Sequence, residues 1–236
     1  MNVKFKFTDP EKVEPVRIEQ VFAEKPGGGL VGNPDYDVPP TTAVAEVEGV
    51  FVPLKCYRVA ENAANDATSI KIEKGSGIAV GDILAHGSVA VECTAVDKSN
   101  ADYDTVTVSM GVALTAGTVL YESNAEPVAA GYYDAESTDE GALKVVASGA
   151  TTGQINLADA TPYKGSKSPL AANDYVIYKD EVVATPVHTP TFVTGNYVYA
   201  GEGDQLVRLI NGANLRKETA NIASEVAALL PMINLV

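Results

Sequence analysis

Apolar and polar residues alternate in short stretches along this 236-residue chain, a pattern that predicts many short strands. Val3, Phe5 and Phe7 fall on one face of a strand, Lys4 and Lys6 on the other. A second alternation begins in VRIEQVF, residues 16–22. Residues 25–40, KPGGGLVGNPDYDVPP, hold three consecutive glycines and four prolines. That composition predicts an extended arm or linker without regular structure. Strands follow at 43–52 and 54–60. A compact β module spans about 66–122, with strands at 69–73, 80–84, 89–96, 105–109 and 118–121. In it Ile70 with Ile72, and Val106 with Val108, give apolar faces of period two. Turns are marked by Gly75-Ser76-Gly77, His86-Gly87 and Asp97-Lys98-Ser99-Asn100.

The stretch 126–200 repeats the same idea more loosely. Thr68-Ser69-Ile70-Lys71-Ile72 is echoed by Thr152-Gly153-Gln154-Ile155-Asn156-Leu157. Ala79-Val80-Gly81-Asp82-Ile83-Leu84 is echoed by Ala172-Asn173-Asp174-Tyr175-Val176-Ile177, and again by Thr115-Ala116-Gly117-Thr118-Val119-Leu120. Each phrase reads as a turn with Gly or Asn at positive φ, feeding an apolar strand. Residues 175–183 read as a hairpin turning near Lys179-Asp180. Toward the end, 205–210 is strand-like and Asn211-Gly212 a turn. From about Leu215 to Leu230 the spacing of Ile222, Ala223, Val226, Leu229 and Leu230 predicts a helix stopped by Pro231. The apolar end, MINLV, needs cover from its own domain or from a neighbouring subunit.

The chain is therefore expected to be mainly β: small β-barrel or sandwich modules with a short C-terminal α-helix. Four segments follow. Residues 1–60 hold N-terminal strands and the Gly/Pro arm, and 61–125 a β module. Residues 126–200 form a second β-rich module, and 201–236 a C-terminal strand and helix.

Composition sharpens this picture. Trp is absent, so the core falls to Val, Ile, Leu and Ala. The net charge of −14 repels phosphate backbones and argues against a nucleic-acid partner. Residues 1–25 carry five basic and five acidic residues, and 201–236 is nearly balanced, so the excess negative charge lies between. Cys56 and Cys93 each sit in a strand-like apolar stretch and read as buried free thiols. No signal peptide is recognisable at the N-terminus, and no apolar run approaches the roughly 20 residues that span a bilayer. The expectation is a protein with no membrane association, made in the cytoplasm.

The search for chemistry finds no candidate catalytic, cofactor-binding or metal-binding residue. His86 and His188 lie about 100 residues apart in loop-like contexts, outside any ligand-spaced cluster. H-E-x-x-H, C-x-x-C and G-x-S-x-G are missing. Gly27-Gly28-Gly29 has no following Lys-Ser/Thr, and Gly75-Ser76-Gly77 precedes a strand, so neither cradles a phosphate. Asp35 with Asp37, and Asn100 with Asp102 and Asp104, could suggest Ca²⁺. The second set lacks the Gly and the Glu of an EF-hand loop, and Asp/Asn-rich turns usually bond their own backbone. Tyr132, Tyr133, Tyr175, Tyr178, Tyr197 and Tyr199 could form a recognition surface, or could be strand residues with one wet end.

The stretch 55–123 carries TSIKIEKGSGIAVGD at 68–82. It resembles modules of head fiber and head decoration proteins of tailed bacteriophages, particularly those of gut Bacteroidota hosts. The phrase LVRLINGANLRKETANIASEVAALL at 206–230 is similar to segments of such virion proteins. The resemblance implies a non-enzymatic structural protein on the capsid surface of the virion. It implies binding to the major capsid protein, often as a homotrimer, with no cofactor and no active site. Residues 1–60 are expected to anchor it. The alternative is a glycan-binding or adhesin-like surface module, with a host or mucus glycan as partner. An enzyme built on paired carboxylates ranks last.

Overall fold

A computed structural model describes residues 15–236; the strand expected at 3–7 lies outside the described residues. In chain order the first segment holds β1 (Ile18–Glu24), β2 (Gly29–Val31), β3 (Ala43–Val47) and β4 (Val50–Pro53). The second, which begins at Lys55 and not at 61, holds β5 (Cys56–Arg58), β6 (Ser69–Glu73), β7 (Ile83–His86), β8 (Val89–Glu92), β9 (Ala95–Asp97), β10 (Tyr103–Thr107) and β11 (Val119–Glu122). The third holds β12 (Gly131–Asp134), β13 (Leu143–Val146), β14 (Gln154–Asn156) and β15 (Tyr175–Lys179). The last, which also takes in residues 188–200 expected in the third, holds β16 (Phe192–Thr194), β17 (Gln205–Val207), β18 (Leu209–Leu215), the helical turn α1 (Ser224–Ala227) and β19 (Ile233–Leu235). The protein is mainly β, as the alternation predicts, and among the described residues it has one short C-terminal helix.

The first and last segments share one sheet, in the order β1-β18-β16-β3-β4-β2-β17, with β19 parallel to β18. Only Arg208 separates β17 from β18, so the pairing returns on itself: β2, β4, β3, β16 and the β18–β17 strand form a ring. Closure removes open edges. The alternation along β3 sorts its residues to two sides. Val44 joins Val31, Val38, Phe51, Val198, Val207 and Leu209 in one core. Ala43 and Ala45 join Val193, Ile210, Ala213, the C-terminal turn and residues of β7, β8 and β11 in another.

The 25–40 segment departs from the expectation of a linker. β2 pairs with both β17 and β4, Val38 bridges Val198, and Tyr36 packs on the ring's interior cluster. Glycine is what admits it: a Cβ on Gly29 would come within 2.4 Å of Leu209 Cδ1 and 2.6 Å of the Phe51 ring.

The second segment folds as two sheets, β5-β11-β7-β8 and β6-β10-β9, around Tyr57, Ile70, Ile72, Leu84, Val106, Val108 and Leu120. The period-two faces read from sequence are the buried ones. Cys56 and Cys93 are free and buried here. The repeated turn phrase is also real in backbone terms: Gly81, Gly117 and Asn173 have φ of 93°, 87° and 81°. Each is followed by a backbone bond closing its turn, Asp82 N–H to Ala79, Thr118 N–H to Thr115 and Asp174 N–H to Ala171.

The third segment forms the sheet β12-β15-β13-β14 around a thin core of Ala135, Val145, Ala160 and Val176. It stands on a stalk. Its entering chain, Glu122 to Val128, runs antiparallel to its leaving chain, Val182 to Val187. The expected 175–183 hairpin does not form, because Val182 pairs with Val128 and not with β15.

Two further expectations change. Asn211-Gly212 is no turn: it lies inside β18, paired to β1 on one side. The long helix shrinks to α1, because the backbone of 216–221 is taken by tertiary partners. Arg58 donates to the carbonyls of Glu218 and Ala220 and Arg17 to that of Thr219, while Asn221 N–H donates to Thr41 Oγ1. Ile222, Ala223, Val226 and Leu230 are buried as their spacing predicts, whereas Leu229 is exposed. Of the apolar end, Ile233 is buried and β19 pairs with β18, whereas Met232 and Val236 are exposed. No helix among the described residues is long and apolar enough to cross a membrane.

Candidate functional site

The richest concentration of polar chemistry lies where the ring, the second segment and the stalk meet. A crevice of about 450 Å³ is lined by Asp35, Tyr36, Phe51 and Pro53 from the ring, by Lys55 and Glu122 from the second segment, and by His188 beyond the stalk. A second crevice of about 400 Å³, on the other side of Tyr36, is lined by Arg17, Arg58, Glu73, Lys74, Ser76 and Tyr197 among others.

Tyr36 is the wall between them. Its ring lies on Gly77, where a Cβ would come within 2.5 Å of Tyr36 Cδ1. Gly77 also has φ of 70°, so the Gly75-Ser76-Gly77 turn is shaped to receive this ring. The Tyr36 hydroxyl is enclosed and finds no hydrogen-bond partner among the described residues. Burial pushes its pKa well above the ordinary phenol value.

Behind it sits a charged cluster held by adjacent strands. Lys55 immediately precedes β5, Glu122 ends β11, and Glu122 N–H donates to the Lys55 carbonyl at 3.1 Å. Asp82 occupies the turn into β7, the other neighbour of β11. Lys55 Nζ stands 3.0 Å from both Asp82 oxygens and 3.7 Å from Glu122 Oε1. Tyr57 O–H donates to Asp82 Oδ2 at 2.8 Å, and the Ala79 N–H donates to the same oxygen at 3.0 Å. The three charged side chains keep only 19%, 10% and 21% of their surface exposed. Burial raises the Glu122 pKa above its ordinary value; Lys55 opposes the shift and Asp82 adds to it.

On the far side Arg58 ties the second segment to the C-terminal one. Its guanidinium donates to the carbonyls of Gly117, Glu218 and Ala220.

The residues weighed from sequence scatter. His86 ends β7, with Nδ1 3.1 Å from Glu225 Oε1 of α1, while His188 lines the first crevice. Asn100 accepts from the N–H groups of Asp102 and Tyr103, closing its own turn. Asp104 is buried and takes Lys74 at 2.5 Å. Among the described residues no group of three or more His, Cys, Asp or Glu is placed to hold a metal ion. The tyrosines divide into two places. Tyr132 and Tyr178 meet edge-to-face across β12 and β15, with centroids 5.2 Å apart, and Lys179 lies over Tyr133. Tyr197 and Tyr199 stack near Arg17.

Sequence reasoning missed the Lys55–Asp82–Glu122 cluster. The available signal was a charge at the border of each of two strand phrases, Lys55 just before CYRV and Glu122 just after VLY. Comparison with family models, with curated proteins and with solved structures finds no match.

Proposed function

We propose that this chain is a structural, non-enzymatic virion protein: a head fiber or decoration protein on the capsid surface of a tailed bacteriophage. It binds the major capsid protein and works as a homotrimer. The stalked third segment carries this reading. The first and last described strands, β1 and β19, both pair onto β18 of the closed ring, and a two-stranded stalk holds a thinly packed sheet away from the main cores. Such an arrangement suits a surface protein with a base for attachment and a projecting part. The phrase at 68–82 and the net charge of −14 support the same reading.

The test is co-sedimentation with capsids of a chain whose 129–181 segment is replaced by a short Gly-Ser turn. Val128 and Val182 are already paired, so the deletion leaves the ring and the second segment intact. The shortened chain is expected to bind capsids as the full chain does. Failure of the full chain to bind contradicts the reading.

One observation favours a second reading, a glycan-binding or adhesin-like surface module. Tyr178 is 53% exposed beside Tyr132, on the projecting sheet. Aromatic rings displayed in this way offer stacking faces to a host or mucus sugar. Glycan-array binding that is lost in Tyr178→Ala supports it.

A further inference from the structure

We propose that Lys55 and Asp82 become joined by an intramolecular isopeptide bond, with Glu122 moving the protons. An ordinary ion pair would explain a 3.0 Å approach of Lys55 Nζ to the Asp82 carboxylate. Three further features mark this pair as poised for acyl transfer.

The first is a separate carboxyl group against the amine. Glu122 Oε1 lies 3.7 Å from Lys55 Nζ, on the neighbouring strand. Burial raises its pKa above the ordinary carboxyl value, which makes its protonated form easier to reach beside the amine. The second is the treatment of Asp82. Both neutral donors, Tyr57 O–H and Ala79 N–H, point at Oδ2 and leave Oδ1 without them. Two fixed donors on one oxygen stabilise the negative charge that develops there during attack on the carbonyl carbon. The third is enclosure. Tyr57 is fully buried and Asp82 keeps only 10% of its surface, while Lys55 and Glu122 also line the crevice beside Tyr36. Strands hold the reacting groups in contact, which replaces a bimolecular encounter by a local one.

The step balances as follows. Glu122, protonated, gives its proton to Asp82 Oδ1 and takes one from the Lys55 ammonium. The free amine attacks Cγ of Asp82, forming the C–N bond, while Oδ2 carries the developing charge between Tyr57 and Ala79. A second proton passes from nitrogen to Oδ1 through Glu122. The Cγ–Oδ1 bond breaks and Oδ1 leaves as water. Glu122 ends protonated as it began, the charges of Lys55 and Asp82 are both lost, and nothing is oxidised or reduced. Oδ2 remains as the amide oxygen, still accepting its two hydrogen bonds.

The bond would tie the start of β5 to the turn before β7, bracing the second segment where the stalk departs. This inference concerns the chain's own chemistry and stands apart from the capsid reading. Its test is intact-mass spectrometry of the purified, denatured full chain. The expected result is a chain one water lighter than its sequence, with a branched tryptic peptide joining the Lys55 and Asp82 segments. Lys55→Arg and Glu122→Gln are expected to show the full sequence mass of each variant, with β-type circular dichroism retained. A wild-type chain of full mass after prolonged incubation in the folded state overturns the bond. So does a water loss that persists in Lys55→Arg, since that loss would come from dehydration elsewhere. A branched peptide that persists in Glu122→Gln overturns the role given to Glu122.

Discussion

Replacing Arg58 by Ala tests how the second segment is fastened to the C-terminal one. The side chain is only 12% exposed and donates to three carbonyls, those of Gly117 at 2.9 Å, Glu218 at 3.0 Å and Ala220 at 2.5 Å. Hydrogen bonds to a charged donor contribute about 1.5–3 kcal/mol each when one partner is removed. Their sum overstates the loss, because the Gly117 and Glu218 carbonyls lie near the surface and regain water. The Ala220 carbonyl belongs to a fully buried residue and is left without its donor. With the packed stem of the side chain also gone, the expected destabilisation is about 2–4 kcal/mol. Equilibrium urea unfolding followed by circular dichroism reads this directly. With a slope of about 3 kcal/mol per molar for a chain of this size, the midpoint falls by about 1 M. Arg58→Lys keeps the charge without the planar fork and is expected to fall between the two. An Arg58→Ala midpoint within about 0.3 M of the parent refutes the reasoning.

Gly77→Ala places a methyl group into the Tyr36 ring and holds an L residue at φ of 70°, so it should cost about 2 kcal/mol. Thermal unfolding checks this, and Tyr36→Ala combined with Gly77→Ala should remove the clash while leaving the backbone strain. Glu225 supplies a pH test. Burial works to raise its pKa, but the Gly87 N–H, its own N–H, Ser224 and His86 together hold it below the ordinary 4.5. A lowered folded pKa means that its contribution is present above pH 4.5 and fades as the pH falls through the folded value. Glu225→Gln should therefore lower the unfolding midpoint at neutral pH and have little effect in stronger acid; an equal loss at both contradicts the assignment.

The sequence was most informative where local pattern and tertiary environment agree. Ile70 and Ile72 alternate with Ser69, Lys71 and Glu73, and the strand they predict at 69–73 is the one observed, residue for residue. The turn phrase around Gly81, Gly117 and Asn173 was legible because positive φ selects Gly and Asn. Long-range pairing was not legible. Gly29–Val31 is a strand only because β4 and β17 flank it, and Val182 leaves a locally plausible hairpin because Val128 offers a partner. The helical spacing of 222–230 marked the buried positions correctly, but Arg58 and Thr41 claim the backbone groups that a longer helix would need. The candidate site was hidden for the same reason. Lys55 and Glu122 are 67 residues apart, with Asp82 between them, and the three meet only because β5, β11 and β7 are neighbours.

The functional reading makes one demand that is simple to measure. A trimeric capsid fiber or decoration protein should have three times its chain mass in solution, at concentrations where a weak contact would dissociate. Light scattering on the purified chain is predicted to give that mass without dependence on dilution. A single, sharp monomer mass across the same range contradicts the account.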